Sequence, residues 1–375
     1  MRGIHDGSLL KIGIRSAGGA VNQESGEHPR QHAKPNLRRY QKQTRFAAIG
    51  DQGQIRLLQS SAVIIGCGAL GSVLANTLAR AGVGHLKLID RDFVELDNLQ
   101  RQVLYVESDL GQPKAVVARE RLLEVNGQLD CEAVVTDVDF TNIESLIDSF
   151  DIVLDGTDNF ETRFLINDAC VKKRIPWVYG GCLGAEGQTM TILPGTTACL
   201  NCLMLDGPPP PGTTATCDSA GVLGSIINVI ASIQSLEAIK LLSGNREAVS
   251  KSLQVFDLWG NRSSQINVGN LRSQVDCPTC KRGEFQWLSG DAGSHSAILC
   301  GRNAVQLSIP ERPALDLPKL ATRLEPLGAV SVNAFLLRFQ IDDFTITVFP
   351  DSRAIINGTE DLAIAKRLYS QYVGV

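Results

Sequence analysis

The chain has 375 residues, with 36 Lys and Arg against 40 Asp and Glu, so its formal net charge is −4. At roughly 150 residues per domain two or three domains are expected. The mildly acidic balance gives no footprint for nucleic acid or an anionic membrane. Only five histidines are present, three of them (His5, His28, His32) near the start. With only His85 and His295 left in folded stretches, a polyhistidine metal centre or a Ser-His-Asp triad is disfavoured. Ten cysteines are too few for a disulfide scaffold, and no secretory segment opens the chain. The most apolar stretch, Val222 to Leu242, is broken by Ser225, Asn228, Ser232, Gln234, Ser235, Glu237 and Lys240. It reads as too polar to span a bilayer, and the expected location is cytoplasmic.

Residues 1–36 are polar and without period, and are expected to form a disordered tail. Ile55 to Leu58 lies on a short helix. Ala62 to Ile65 is an apolar run ending in Gly66, as in a buried parallel strand. Leu70 to Ala81 has helical spacing, and Leu86 to Asp90 is the next strand. This strand, glycine turn, helix and strand open a doubly wound sheet. A helix at Lys114 to Asn126 and strands at Cys131 to Val135 and Ile152 to Asp155 follow. Next come a helix at Glu161 to Lys173 and strands at Pro176 to Tyr179 and Thr189 to Leu193. The proline run from Asp206 to Thr214 breaks regular structure. A long helix from Gly224 to Leu242, capped by Gly244, precedes strands at Leu253 to Asp257 and Gln265 to Val268. The α/β unit is thus expected over 37–284. A second, smaller α+β unit of unassigned role is expected over 290–375, with docking of a partner or dimerisation as its candidate tasks. It starts with a strand at Ala297 to Leu299. A helix at Leu317 to Leu327, two or three strands through Phe335 to Ile356 and a helix from Asp361 complete it.

Gly66-Cys67-Gly68-Ala69-Leu70-Gly71 fits G-x-G-x-x-G between strand and helix, where backbone can approach a phosphate at a helix N-terminus. Asp90, at the end of the next strand, is placed to accept from ribose hydroxyls. The turn alone does not choose between a dinucleotide and ATP. The following segment favours ATP, because Asn98, Arg101 and Lys114 can converge on the phosphate end of the sheet. Attack at an α-phosphate develops charge that cations must stabilise. Asp158, after the strand ending at Asp155, suits Mg²⁺ shared with phosphates. The competing assignment for these residues is solvated surface charge, with Asp158 as a helix N-cap. Cys199-Leu200-Asn201-Cys202 and Cys277-Pro278-Thr279-Cys280 are two C-x-x-C pairs that together can supply a tetrahedral Cys₄ zinc site. The alternatives are a redox pair or unrelated thiols. Cys217, just before the long helix, is a candidate nucleophile through a lowered thiol pKa, against burial as a small hydrophobe. Cys67, Cys131, Cys170, Cys182 and Cys300 read as packing residues.

Taken in order, these residues resemble the ThiF/MoeB/HesA family of E1-like sulfur-carrier adenylyltransferases. The resemblance spans about residues 38–283. It rests on Arg39-Tyr40, Ile49-Gly50 and Gly53-Gln54, the glycine turn, Asn98 to Gln102, Lys114, Thr157-Asp158-Asn159 and both C-x-x-C pairs. It implies a Rossmann-like E1-type fold with a mixed sheet and a homodimer using ATP, Mg²⁺ and Zn²⁺. The implied reaction adenylates the C-terminal glycine carboxylate of a small ubiquitin-fold sulfur carrier with a Gly-Gly tail (ThiS or MoaD type), for thiamine or molybdopterin biosynthesis. It further implies ribose at Asp90, phosphates at Asn98, Arg101 and Lys114, Mg²⁺ at Asp158, and thioester or persulfide transfer for Cys217 in some members. A cysteine desulfurase or sulfurtransferase is a possible further partner. Lys42 stands where the family usually has Arg reaching the partner subunit's ATP. Lys keeps the charge without the bidentate fork, leaving Arg45 as a substitute. The C-terminal unit does not resemble the rhodanese domain of some relatives. The rival readings are E1-like adenylation of another carboxylate by a tRNA-modifying dehydratase or peptide-modifying enzyme, a nicotinamide-dependent dehydrogenase, and a non-catalytic carrier-binding scaffold.

Overall fold

The computed structural model describes residues 36–205, 207, 220–290, 298–299, 304–307, 315–333, 335–350 and 352–374. The expected tail, most of the proline run, Cys217 and Cys300 lie outside these residues. Leu37–Val375 form one compact unit that carries two sheets.

The first sheet has eight strands in the order β3-β2-β1-β4-β5-β6-β7-β8. They are β1 Ser61–Ile65, β2 His85–Ile89, β3 Asp130–Val134, β4 Ile152–Asp155, β5 Trp177–Leu183, β6 Glu186–Ile192, β7 Ser252–Asp257 and β8 Arg262–Asn267. β1 lies between β2 and β4, Ile64 opposite Leu88 and Leu154. The pairs from β3 to β5 are parallel and those from β5 to β8 antiparallel. The sheet is therefore mixed. Burial on both faces explains the continuous apolar runs of β1 and β4, where alternation would mark a one-sided strand.

One core holds the inner faces of helices Ala69–Ala81, Lys114–Val125 and Gly224–Leu242 against Ile64, Leu86, Leu88 and Leu154. The other face packs helix Phe160–Lys173 through Phe164 and Ile166 onto Val63, Val153 and Trp177. Gly224–Leu242 is long and apolar enough to cross a membrane by length and composition, contrary to the sequence expectation. Half of its most apolar window is nevertheless buried inside the molecule. Its apolar composition reflects packing on the glycine-turn helix, and Ile226 and Ile230 close on Gly187 of β6.

The second sheet is antiparallel in the order β11-β12-β13-β14-β10-β9. Its strands are β9 Ile298–Leu299, β10 Ala304–Leu307, β11 Ala329–Val332, β12 Leu337–Ile341, β13 Phe344–Val348 and β14 Ala354–Asn357. Helices Leu317–Leu324 and Leu362–Tyr372 contribute to its core. Their N-caps are Asp316, accepting from Lys319 N, and Asp361, accepting from Ala363 N and Ile364 N. Leu317–Leu324 stops short of Leu327, and β10 and β11 had no recognised sequence signal.

Candidate adenylation site and cysteine centre

The glycine turn joins β1 to the helix Ala69–Ala81, whose N-cap, Gly68, makes no side-chain cap bond. Among the described residues no side chain caps this 13-residue helix, the arrangement in which first-turn amides can meet a phosphate. Gly66 has φ +88°, a left-handed value that a side chain would strain. A Cβ there would also lie 2.7 Å from the Gly156 carbonyl. A Cβ on Gly71 or on Gly156 would overlap the Gly66 carbonyl, whereas one on Gly68 would face open space up to Gln102 Nε2 at 3.8 Å. Gly66, Gly71 and Gly156 therefore serve backbone-to-backbone packing, and Gly68 marks the open side. Gly156 was missed in the sequence because its partner lies on another strand.

Asp90 follows β2 and turns back on this loop. Its Oδ2 accepts from Cys67 N at 2.6 Å and its Oδ1 from Asp92 N at 2.6 Å. Burial pushes its carboxyl up from the ordinary value, with the Lys114 ammonium opposing the shift. A carboxylate has about four lone-pair sites, so two backbone bonds still leave room for ribose hydroxyls. Lys114 opens its helix, buried at 4% exposure. Its Nζ lies 3.5 Å from Asp92 Oδ2, and its N donates to Asp92 O at 2.9 Å. Asp92, not singled out from the sequence, is thus the link between Asp90 and Lys114.

Asn98 is buried, its Oδ1 accepting from Glu95 N at 3.3 Å and its Nδ2 donating to Asp97 Oδ1 at 3.0 Å. Arg101 is half-buried and donates to Asp97 O at 2.8 Å. Its backbone passes Gly224 at the start of the long helix. Next to it, buried Gln102 has no hydrogen-bond partner for its Oε1 among the described residues, beside Gly68, an orphan acceptor that a bound nucleotide could satisfy.

β4 ends in a second turn. Asp155, fully buried, accepts from Thr157 N at 2.9 Å, Thr157 Oγ1 at 2.7 Å and Arg163 Nε at 3.1 Å. Burial pushes its carboxyl up, and Arg163 opposes the shift. Arg163 also donates to Thr157 O at 2.7 Å and Gly180 O at 3.1 Å. This pair sets the turn that presents Asp158, which is exposed. The helix N-cap is Asn159, accepting from Thr162 N, so Asp158 is not that cap. Lys42 is exposed on the short helix Gln41–Thr44. The neighbouring Arg39-Tyr40 and Gly53-Gln54 are structural. Tyr40 accepts from Asn126 Nδ2 and Gln54 donates to Ala81 O, both against Gly82.

Cys199, Cys202, Cys277 and Cys280 bring their sulfurs within 4.8 Å of one another. The separations are 3.8 Å for Cys199–Cys202, 3.6 Å for Cys199–Cys277 and 3.4 Å for Cys202–Cys280. A tetrahedral zinc with Zn–S of about 2.3 Å would set each S···S edge at about 3.8 Å, so the four thiols fit that ion. Mutual hydrogen bonds hold the Cys277 and Cys280 thiols down, Cys280 to about 7, and push those of Cys199 and Cys202 up, so the fit to a metal rests on the sulfur geometry. Helix Phe160–Lys173 aligns both loops: Asn167 Oδ1 accepts from Leu200 N, and Asp168 accepts from Thr279 Oγ1 and Trp287 N. The four thiols thus form one cluster that could hold a zinc ion.

A family model described as "ThiF family" matches residues 40–279. The chain belongs to the ThiF family. It is 44% identical over 339 residues to the sulfur carrier protein ThiS adenylyltransferase of Bacillus subtilis, covering 90% of this chain and 99% of that one. With 90% of the chain matched, that likeness necessarily extends into the second sheet. It is 41% identical to the adenylyltransferase and sulfurtransferase MOCS3 of Culex quinquefasciatus, over 65% of this chain and 55% of that longer one. Among solved structures it is similar to E. coli MccB in a crystal structure with ATP. The TM-score is 0.55 at 22% identity, covering 65% of this chain and 75% of that one, a likeness of fold.

Proposed function

We propose that this ThiF-family protein is an ATP-dependent adenylyltransferase acting on the C-terminal glycine carboxylate of a ThiS-type ubiquitin-fold sulfur carrier. The observation that carries the reading is the 44% identity to the Bacillus subtilis ThiS adenylyltransferase across nearly the whole of both chains. The site's geometry supports it. Asp90 accepts from the ribose, the open helix N-terminus at Gly68 faces phosphate, and Asn98, Arg101 and Lys114 hold the triphosphate. Asp158 holds Mg²⁺, which when bound offsets phosphate charge. The Cys₄ cluster holds a structural zinc.

A glycine carboxylate is already ionised at pH 7, so no general base is needed and the shortage of histidines is no handicap. A carboxylate oxygen attacks the α-phosphorus, and the bond to the bridging oxygen of the β-phosphate breaks. Acyl-AMP and pyrophosphate result. Charge growing on the leaving pyrophosphate is met by Lys114 and Arg101, with positioning and electrostatics doing the catalysis. The active form is a homodimer in the cytoplasm, with Lys42 reaching across to its partner's nucleotide. Cys217 is the candidate thiol that attacks the acyl-adenylate carbonyl, forming a thioester to the carrier and releasing AMP.

Carrier-dependent exchange of labelled pyrophosphate into ATP tests this reading. With a Gly-Gly-tailed carrier and Mg²⁺, exchange is expected, and Asp158→Ala and Lys114→Ala are expected to reduce it by at least about 100-fold. ATP binding without exchange for any carrier would overturn it, in favour of another carboxylate substrate.

A further inference from the structure

The stretch from Asp90 to Glu95 touches Pro113 through an isolated antiparallel bridge at Phe93, and the partners of its side chains fall into two groups. Asp90 and Asp92 face the glycine turn and Lys114. Arg91, Phe93 and Glu95 face the six-stranded sheet. Arg91 Nη1 donates to Asp137 Oδ1 at 3.0 Å and to Gln306 Oε1 of β10 at 2.5 Å. Gln306 Nε2 donates to Asp137 Oδ2 at 2.5 Å, and Arg353 Nη1 lies 3.4 Å from the same oxygen. The Arg353 guanidinium also stacks 4.4 Å above the Phe349 ring. Phe93 is buried with Leu336 and Phe349. Glu95 pairs with Arg338 of β12 at 3.3 Å.

Two arginines, Asp137 and Asp92 make a charge-balanced cluster, with Arg353 nearly buried and Arg91 and Asp137 largely so. Such a network holds one arrangement, since breaking any member strands another away from water. Three side chains of one short segment are thus locked to the second sheet while Asp90 and Asp92, interleaved with them, belong to the nucleotide site. We propose that the six-stranded sheet is a brace for the nucleotide loop, with Arg91, Gln306, Asp137 and Arg353 as positioning residues that fix Asp90 and Asp92. This rests on the ATP reading given above, and it gives the C-terminal unit a role other than docking or dimerisation.

The test is steady-state pyrophosphate exchange on the full-length protein, with direct titration of a non-hydrolysable ATP analogue. Gln306→Leu removes both amide bonds at nearly constant volume. It is expected to raise the KM for ATP and the analogue's Kd about 10-fold, leaving kcat and the KM for carrier within about twofold. Arg338→Ala, on a more exposed pair, should raise the same two constants about twofold and keeps the test open if Gln306→Leu folds poorly. A role confined to stability would lower the active fraction, hence apparent kcat, without moving the KM for ATP. Asp90→Asn serves as the control for the nucleotide site itself. If it weakens ATP while Gln306→Leu and Arg338→Ala do not, the brace is refuted and the site stands. If Asp90→Asn leaves ATP affinity unchanged, the site assignment falls and the brace with it.

Discussion

Replacing Arg163 by Met should expose how much the turn before Asp158 depends on one buried ion pair. Arg163 Nε lies 3.1 Å from Asp155 Oδ2. At an effective dielectric of about 20 that separation corresponds to about 5 kcal/mol of attraction. Met fills much of the volume, so the main loss is the charge partner, and deleting one partner of a buried pair costs about 3–5 kcal/mol. The loss should also depend on pH with a definite sign. Burial already raises the Asp155 carboxyl above its ordinary value of 3.8, against the pull of Arg163. A group whose folded pKa is raised binds its proton longer in the folded state. Its contribution is therefore full below the unfolded pKa and is lost as pH climbs through the folded one. Without Arg163 that folded value climbs further, so Arg163→Met should be more destabilised at pH 8 than at pH 5. Urea denaturation of the zinc-loaded protein at both pH values measures it. Asp155→Leu combined with Arg163→Met should recover part of the loss, because no lone charge is then buried. A deficit below about 1 kcal/mol, or one identical at both pH values, would refute this account.

Three other outcomes are expected. Gly71→Ala should cost about 3 kcal/mol and weaken ATP binding, because its Cβ would overlap the Gly66 carbonyl; melting and nucleotide titration check both, and wild-type behaviour would show that the turn is loosely packed. The protein should carry one zinc per chain by elemental analysis, and Cys277→Ser should lose it with a fall in melting temperature, since zinc affinity is folding energy. An unchanged melting temperature after metal removal would contradict a structural centre. Asp168, whose carboxyl burial pushes up to about 6, should titrate there by infrared or NMR. Because that value exceeds the unfolded one, its contribution to stability falls as pH rises from about 4 to 6, and Asp168→Asn should flatten the slope. No flattening would remove Asp168 from the account of acid stability.

What the sequence displayed and what it hid follow from the range of the interactions involved. The glycine turn, the long helix from Gly224 and the strand at Ile152 were legible because a local pattern of glycines or apolar runs specifies each. The two C-x-x-C pairs were legible because metal chemistry demands a matched set even across a long spacer. Gly156, Asp92 and Arg163 were not, although each lies within a few residues of a motif. Their work is done across the sheet, where Gly156 meets Gly66 and Arg163 meets Gly180. β8 escaped a full assignment because all six of its residues are exposed, leaving no buried face to impose alternation. The role of Arg353 was the most deeply hidden. Nothing near it in sequence marks it, and its meaning comes from Asp137 and Arg91 on the far side of the chain. The motif residues of an adenylation site are thus readable one by one, while the second layer that aims them is a property of the fold. Here that layer runs from Asp90 through Arg91 to Gln306 and Arg353, and substitutions in it should change nucleotide affinity while leaving every recognisable motif intact.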